Sequence, residues 1–328
     1  MDINSIKEFL GQEWEKVQEK ISSALSSDID LLNSTNAIIL SQSGKQMRPM
    51  LALLMANACS GGYIADATTS YAAAAELLHN ATLLHDDVAD DSAERRGRPT
   101  IMSLMGTSVS VLLGDYWLVK AMELILSAGD ATSTAAIKIF AKTLSDLAEG
   151  EMLQLQKAQE GNTQESDYLR IIYSKTASLF ESSVVTAALS VGASDEQIEA
   201  ARDYAISLGV AFQIQDDILD YSGTVEVGKP LGADILEQKI TMPLLGALEN
   251  VSSEEAAQVR QKIHDIVGHP EYRDEIVEFV KANGGLEYAV NRLNSYVDEA
   301  VAALNVFPES HAKKCLVELA YYTAKRNK

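Results

Sequence analysis

The stretch from Leu83 to Thr100, LLHDDVADDSAERRGRPT, decides how the rest of the chain is organised. Within six positions it carries the aspartates Asp86, Asp87, Asp90 and Asp91. The run before them, Ser70 to Leu84, is rich in alanine and leucine and has no glycine or proline. This composition predicts a buried helix that ends at the aspartates. Negative charge opposes the dipole at a helix C-terminus, and aspartates four residues apart repel each other. We therefore expect a hard divalent cation to neutralise the cluster.

A second aspartate cluster, FQIQDDILDY at Phe212 to Tyr221, follows 130 positions after the first. An isolated acidic cluster is commonly only a solvated surface. Here, however, Gln213 and the three aspartates have the spacing of one helix face, between apolar residues that belong in a core. Buried carboxylates need a partner charge or a metal ion. Mg²⁺ takes one or two carboxylates and completes its shell with water and phosphate oxygens, so the pair of clusters predicts a phosphate-bound Mg²⁺ site.

The order of these motifs resembles that of the trans-isoprenyl diphosphate synthases, also called polyprenyl synthetases. The first DDxxD is followed by RRG at 95–97, and the second is preceded by FQ at 212–213. The resemblance runs in the same order from Gly44 to the C-terminus. It implies an all-α, single-domain helical bundle of the isoprenoid-synthase type over residues 1–328, with a central substrate cavity. The low proline content, 6 in 328 residues, also favours an all-α fold.

The resemblance implies head-to-tail condensation of isopentenyl diphosphate with an allylic diphosphate. Ionisation of the allylic C–O bond is the hard step, and about three Mg²⁺ ions would stabilise the departing diphosphate. The implied metal ligands are Asp86, Asp87, Asp90, Asp216, Asp217 and Asp220.

Further residues match family motifs for binding the two diphosphates. Those implied at the reaction centre and allylic diphosphate are Lys175, Thr176, Gln213 and Lys229, together with Arg95. Those implied to hold the isopentenyl diphosphate or to close on phosphate are Lys45, Arg48, His79, Arg96 and Lys239. Gln46 stands where the family pattern GGKRxRP has a basic residue, so one cation of that clamp is absent. Gln238 stands where the family pattern EGK has glycine. Residues 149–156 resemble an EGE…Q segment whose polar side chains either hydrogen-bond internally or face the site.

Product length follows from the helix before the first motif. In the family, the residues four and five positions before that motif line the pocket for the growing chain, and here they are the small Thr82 and Ala81. The same stripe continues through Leu78, Ala74 and Tyr71. Tyr71 is the first bulky aromatic, about 15 Å from Ala81 along a helix, which leaves room for about three isoprene units beyond a farnesyl-type stop. We expect an all-trans product of about C30 to C40, suited to a quinone side chain.

Composition limits the partners and the compartment. The net charge of −20 argues against nucleic acids and anionic membrane surfaces as partners. The two cysteines lie far apart in apolar surroundings, which indicates thiols in a reducing compartment. No apolar run reaches the length of a transmembrane segment, and the acidic N-terminus does not resemble a targeting peptide. We therefore expect a cytoplasmic protein. Helices at 108–126 and 131–159 carry more apolar surface than one core stripe needs, and the family pairs in this region, so we expect a homodimer.

Three alternatives remain beside the long-chain synthase. A farnesyl or geranylgeranyl diphosphate synthase would run the same reaction to a shorter product. A class I terpene cyclase would share the ionising chemistry, but its second motif is usually of another type and it has no use for an isopentenyl diphosphate clamp. A non-catalytic partner subunit or helical scaffold predicts eroded aspartate motifs, whereas both are intact here.

Overall fold

The computed structural model describes residues 2–42, 44–95, 97–222 and 231–326. Their regular structure is helical apart from a hairpin of two short antiparallel strands, β1 (Glu94–Arg95) and β2 (Arg98–Pro99), so the all-α prediction is confirmed. The helices are α1 Ile3–Ala24, α2 Asp30–Ser41, α3 Met47–Ser60, α4 Asp66–Ala89, α5 Ile101–Met105, α6 Thr107–Ser127, α7 Ser133–Glu160, α8 Glu165–Ile172, α9 Ser178–Ser190, α10 Asp195–Ser222, α11 Ala233–Leu236, α12 Met242–Glu249, α13 Ser253–His264, α14 Tyr272–Ala282, α15 Gly285–Ala303 and α16 His311–Lys325. A π-turn, Tyr173–Ala177, joins α8 to α9, and a 3₁₀ turn, Leu304–Val306, follows α15.

The sequence predicts one helix too few near the C-terminus. Three helices are expected over residues 253–325, whereas the described part of this segment forms four, α13 to α16. The missed boundary lies between α14 and α15, which are separated only by Asn283 and Gly284. Gly284 has φ +73, the left-handed conformation that ends helices at glycine.

The chain forms two compact units. The first comprises Met1–Lys142, Leu179–Arg202 and Leu304–Glu318, and the second comprises Thr143–Ser178, Asp203–Ala303 and Leu319–Lys328. The first aspartate cluster belongs to the first unit and the second cluster to the second unit.

In the first unit, α4 packs against α1, α3 and α6. Residues 71–78 of α4 are buried on every side, as expected of a helix that is apolar all round. Gly114 lets α6 come close to α4, because a Cβ at this position would lie 2.3 Å from Nε2 of His85. The His85 ring also lies 3.3 Å from the carbonyl oxygen of Val111, so it forms part of the contact between α4 and α6.

In the second unit, α12 packs against α8, α14 and α15, and two glycines bring helices to the π-turn. A Cβ at Gly150 of α7 would lie 2.5 Å from Cβ of Ser174, and a Cβ at Gly209 of α10 would lie 2.5 Å from Cα of Ala177. Any larger residue at either position would push α7 or α10 away from the π-turn.

Two further features bear on the predicted compartment. Among the described residues, no helix combines the length and apolarity that crossing a membrane requires. Cys315 is buried and Cys59 is half-buried, and burial raises the pKa of the Cys59 thiol to about 12.

Candidate active site

The first aspartate cluster sits at the end of α4. Asp86 and Asp87 lie in its last turn, Asp90 is the C-cap residue, and Asp91 takes a left-handed conformation with φ +48. Asp87 is buried and accepts a hydrogen bond of 2.8 Å from Nε of Arg95, which the hairpin carries back towards the helix end. An arginine of the same motif therefore balances part of the negative charge. The sequence had led us to expect a metal ion in this role.

The residues predicted to hold isopentenyl diphosphate lie on α3 and α4 of the first unit. The Arg48 guanidinium stacks 4.6 Å from the ring centroid of Phe180. Lys45 and Gln46 immediately precede α3, and Gln46 has φ +54. His79 is half-buried on α4, seven residues before the first aspartate. Arg96 lies outside the described residues.

The predicted product stripe lies in the core of the first unit. Ala81, Leu78, Ala74 and Tyr71 are fully buried, and Thr82 is half-buried. The Tyr71 hydroxyl donates to Oδ1 of Asp130 at 2.8 Å and lies 3.0 Å from Oγ1 of Thr132. These bonds to the segment between α6 and α7 fix the tyrosine ring, which the sequence proposes as the end of the pocket.

The aspartates of the second cluster have three different surroundings on α10. Asp216 is half-buried and forms an ion pair of 2.7 Å with Nη2 of Arg326. The Arg326 guanidinium also lies 3.7 Å from the ring centroid of Phe212 and donates to its carbonyl oxygen. Asp220 accepts backbone hydrogen bonds from Ala233 at 3.0 Å and Asp234 at 3.2 Å, so it caps the start of α11.

Asp217 is buried, with 2% of its surface exposed. Its Oδ2 accepts a hydrogen bond of 2.5 Å from the hydroxyl of Tyr168, and its Oδ1 accepts one of 3.0 Å from Nε2 of Gln213. Burial, and then the nearby charge of Asp234, raise the pKa of Asp217 well above its usual range, although the two hydrogen bonds act in the opposite direction. Burial and the Asp217 charge likewise raise the pKa of Tyr168.

The π-turn presents the two residues of the predicted Lys-Thr motif. Lys175 forms an ion pair with Glu151 and donates to Oε1 of Gln154 at 3.2 Å. The hydroxyl of Thr176 donates to Oε1 of Gln213 at 2.9 Å. The EGE…Q segment therefore supplies the partners of Lys175, and Gln154 also lines the adjacent pocket, so this segment both hydrogen-bonds internally and faces the candidate site. π-turns interrupt α-helices most often at functional sites.

A pocket of about 130 Å³ opens in the second unit beside these residues. The charged and polar side chains at its wall include Tyr168, Lys175, Gln213, Asp217, Asp234 and Lys239. Gln238 also lines it and has φ +59, which explains why the family pattern has glycine at this position. Its side chain donates to the carbonyl oxygen of His264 at 2.7 Å. Lys229 lies outside the described residues.

The sequence did not reveal Tyr168, Asp234 and Arg326 as parts of this arrangement. Tyr168 lies 49 positions from Asp217, inside a helix whose sequence carries no motif. Arg326 gives only a weak signal, as one of several basic residues near the C-terminus.

The donor chemistry of both clusters suits a magnesium–diphosphate complex. Among the described residues, no three or more His, Cys, Asp or Glu side chains are grouped closely enough to hold a metal ion. The side chains at both clusters offer carboxylate oxygens, the hard donors that Mg²⁺ uses together with phosphate oxygens and water. The half-buried Asp86 and Asp216 and the exposed Asp90 suit direct coordination better than the fully hydrogen-bonded Asp217.

Comparison with known proteins gives a consistent result. The model of the family described as polyprenyl synthetase matches residues 29–281. An octaprenyl diphosphate synthase of Haemophilus influenzae is 38% identical over 328 residues, which cover 100% of this chain and 98% of that protein. The crystal structure of a decaprenyl diphosphate synthase from Rhodobacter capsulatus superposes with a TM-score of 0.91 at 34% identity, with 100% of both chains covered.

A second solved structure was determined with ligands. It is a polyprenyl synthase from Caulobacter crescentus complexed with calcium and isoprenyl diphosphate, with a TM-score of 0.89, 33% identity, and coverage of 100% of this chain and 98% of that one. The motif order, the two aspartate-rich helices, the family match and these full-length similarities lead to one conclusion: the chain belongs to the polyprenyl synthetase family.

Proposed function

We propose that this protein is a long-chain polyprenyl diphosphate synthase. It is a prenyltransferase by family, and its relatives of similar length include proteins named as octaprenyl, nonaprenyl and decaprenyl diphosphate synthases. It adds isopentenyl diphosphate head to tail onto an allylic diphosphate and releases an all-trans product of about C30 to C40. The observation that carries this proposal is the pocket lined by Lys175, Gln213 and Asp217 of the second aspartate motif.

The reaction breaks the allylic C–O bond and joins the allylic carbon to the terminal carbon of isopentenyl diphosphate. Asp86, Asp90 and Asp216 would hold bound Mg²⁺ directly, and Asp87, Asp217 and Asp220 would hold it directly or through water. The bound Mg²⁺ would supply positive charge to the departing diphosphate. Lys175, Lys229 and Arg95 hold the same diphosphate. Glu151 and Gln154 hold the Lys175 side chain, and Lys175 lines the pocket. The proton lost at the end passes to the released diphosphate.

The positively charged residues of the first unit hold the second substrate in this proposal. Lys45, Arg48, His79 and Arg96 bind the diphosphate of isopentenyl diphosphate, and Lys239 closes on phosphate at the pocket of the second unit. Thr176 and Gln213 place neutral dipoles near the carbocation. Ala81, Thr82, Leu78, Ala74 and Tyr71 set the length of the product.

Several finer statements belong to the same proposal. We propose about three Mg²⁺ ions. The solved relative that holds calcium and isoprenyl diphosphate supports the use of a divalent metal together with diphosphate. The whole chain acts as one polyprenyl synthetase domain, supported by a family match that spans segments of both units. The enzyme is a cytoplasmic homodimer, and its product serves as a quinone side chain.

The test is product analysis with labelled isopentenyl diphosphate and farnesyl diphosphate, in Mg²⁺ or in EDTA. Wild-type protein should form a long polyprenyl diphosphate only with Mg²⁺. Asp86→Ala and Asp216→Ala should reduce turnover by about a thousandfold or more, because each removes a carboxylate that stabilises leaving-group charge. Asp298→Ala, at an exposed position of α15, is the control and should stay active. Hydrocarbon formed from farnesyl diphosphate alone would indicate a cyclase, and full activity of Asp216→Ala would refute the metal site.

A further inference from the structure

Four side chains form a continuous hydrogen-bonded chain in the second unit. Thr176 donates to Gln213 at 2.9 Å, Gln213 donates to Asp217 at 3.0 Å, and Tyr168 donates to the other oxygen of Asp217 at 2.5 Å. The chain links the π-turn, α10 and α8. Each amide and carboxylate oxygen in it accepts from one partner, so the orientation of the Gln213 amide is fixed from both ends.

Burial makes this arrangement costly unless every member keeps its partner. Tyr168 is 3% exposed and Asp217 is 2% exposed. A phenol hydroxyl and a carboxyl group at such depth lose hydration that only the hydrogen bonds replace. A phenylalanine and a leucine would fill the same space without that cost. Three of the four residues, Tyr168, Gln213 and Asp217, also line the pocket beside Lys175, which places the network at the site of reaction.

We propose that Tyr168 is a positioning residue for prenyl transfer, acting through Asp217 on the orientation of Gln213 and Thr176. The proposal rests on the proposed function. Because the Thr176 hydroxyl hydrogen is committed to Gln213, the hydrogen-bonding capacity that Thr176 retains for other groups is its oxygen lone pairs. Those lone pairs favour positive charge nearby, such as the charge that develops on the allylic carbon. Without the Tyr168 hydroxyl, Asp217 is held from one side only and this orientation is no longer unique.

The first experiment compares Tyr168→Phe with a matched control. Tyr168→Phe keeps the ring and removes one hydroxyl. It should lower kcat about tenfold while the KM for each diphosphate stays within about twofold, because the lysines and arginines that bind phosphate are untouched. The control is Tyr288→Phe, which removes a hydrogen bond of 2.6 Å to Glu165 on the same helix α8, away from the pocket. Its kcat should equal that of the wild type, and equal losses in the two variants would overturn the proposal.

The second experiment is a double-mutant cycle of Tyr168→Phe with Thr176→Val. Among the hydrogen bonds of the described residues, these two side chains are connected through Gln213 and Asp217. If the network works as one unit, the double variant should have a kcat no lower than that of the slower single variant. If the two losses multiply, Tyr168 does not act through Asp217. Thr176→Ser, which keeps the hydroxyl, should retain most of the activity.

A third measurement separates failure of this inference from failure of the proposed function. In the metal-free protein, amide hydrogen exchange of residues 173–177 should be at least threefold faster in Tyr168→Phe than in the wild type, and unchanged in Tyr288→Phe. This result needs no substrate. A wild type that forms no prenyl product would refute the proposed function, whereas unchanged exchange in Tyr168→Phe would refute the network.

Discussion

At the scale of single residues, the ion pair of Asp216 and Arg326 shows that a carboxylate proposed to bind metal already has a counter-ion within the protein. The Arg326 side chain is only 7% exposed, so its buried positive charge needs a counter-ion, which this carboxylate provides. We expect Asp216→Asn to lower the melting temperature in EDTA by about 1–3 °C, equivalent to roughly 1 kcal/mol for a half-exposed partner.

The control for this prediction is Asp90→Asn, at the exposed C-cap of α4. It should leave the melting temperature within about 1 °C, since the change removes repulsion at a solvated helix end. Differential scanning calorimetry of both variants measures the contrast. A variant Asp216→Asn as stable as the wild type would mean that Arg326 gains nothing from the pair.

Gln46 carries a second prediction at the residue scale. It stands at the absent cation of the isopentenyl diphosphate clamp, and its left-handed backbone favours glycine. Gln46→Lys should lower the KM for isopentenyl diphosphate about three- to tenfold, because it adds a charge-assisted contact near a phosphate. Gln46→Gly tests the backbone effect without the charge and should not lower this KM. Steady-state kinetics that give the same KM for all three proteins would show that residue 46 points away from the substrate.

Single residues also show where prediction from sequence ends. The aspartates could be assigned to helix faces because their spacing fixes the face, and this requires no knowledge of the fold. Their individual surroundings could not be predicted, because each partner comes from a distant segment: Tyr168 for Asp217, Arg326 for Asp216, and the start of α11 for Asp220. The motif predicts three similar carboxylates, whereas packing makes them three different ones.

At the scale of elements, α4 carries the prediction of product length. Ala81 is fully buried on this helix, one turn before the first aspartate motif. Ala81→Phe should fill the space for the growing chain and shorten the product to about C15–C20 with condensation still active. Chromatography of the labelled product measures its length, and circular dichroism verifies that the larger side chain is accommodated. An unchanged product distribution in a folded variant would show that this stripe does not line the product pocket.

The opposite end of α4 provides the complementary change. Tyr71→Ala should lengthen the product, because it removes the aromatic ring that Asp130 and Thr132 hold in place. The composition of the sequence was enough to predict α4, and the helices expected at 108–126 and 131–159 correspond to α6 and α7. The π-turn could not be predicted in the same way, because YSKTA has an ordinary helical composition and the extra residue becomes visible only through hydrogen bonding.

At the scale of the whole molecule, α6 supports the proposed homodimer. Leu112 and Val119, seven residues apart on one face, are 68% and 51% exposed. Exposed apolar side chains in a row mark interaction surfaces. Leu112→Glu combined with Val119→Glu should convert the dimer to a monomer at micromolar concentration in sedimentation velocity, since two charges would be buried without partners. The control is Val267→Glu, at a 79% exposed position between α13 and α14. A dimer that withstands both α6 changes would exclude this face from the interface.

The π-turn at Tyr173–Ala177 also restricts how this chain can evolve. The turn contains one residue more than the α-helical turn it replaces. Loss of any one residue here would close the π-turn into a regular α-helical turn with no break in the backbone, and the following residues would keep nearly the same direction because the extra residue is absorbed within the turn. Inside the turn, however, the backbone would be repositioned, so Lys175 and Thr176 would lose their present placement beside Gln154 and Gln213. A single substitution in this turn changes the contacts of one side chain. A deletion in this turn disrupts the contacts of several side chains at once. A deletion scan should therefore find residues 173–177 intolerant, while the loop at 265–271 accepts the loss of a residue.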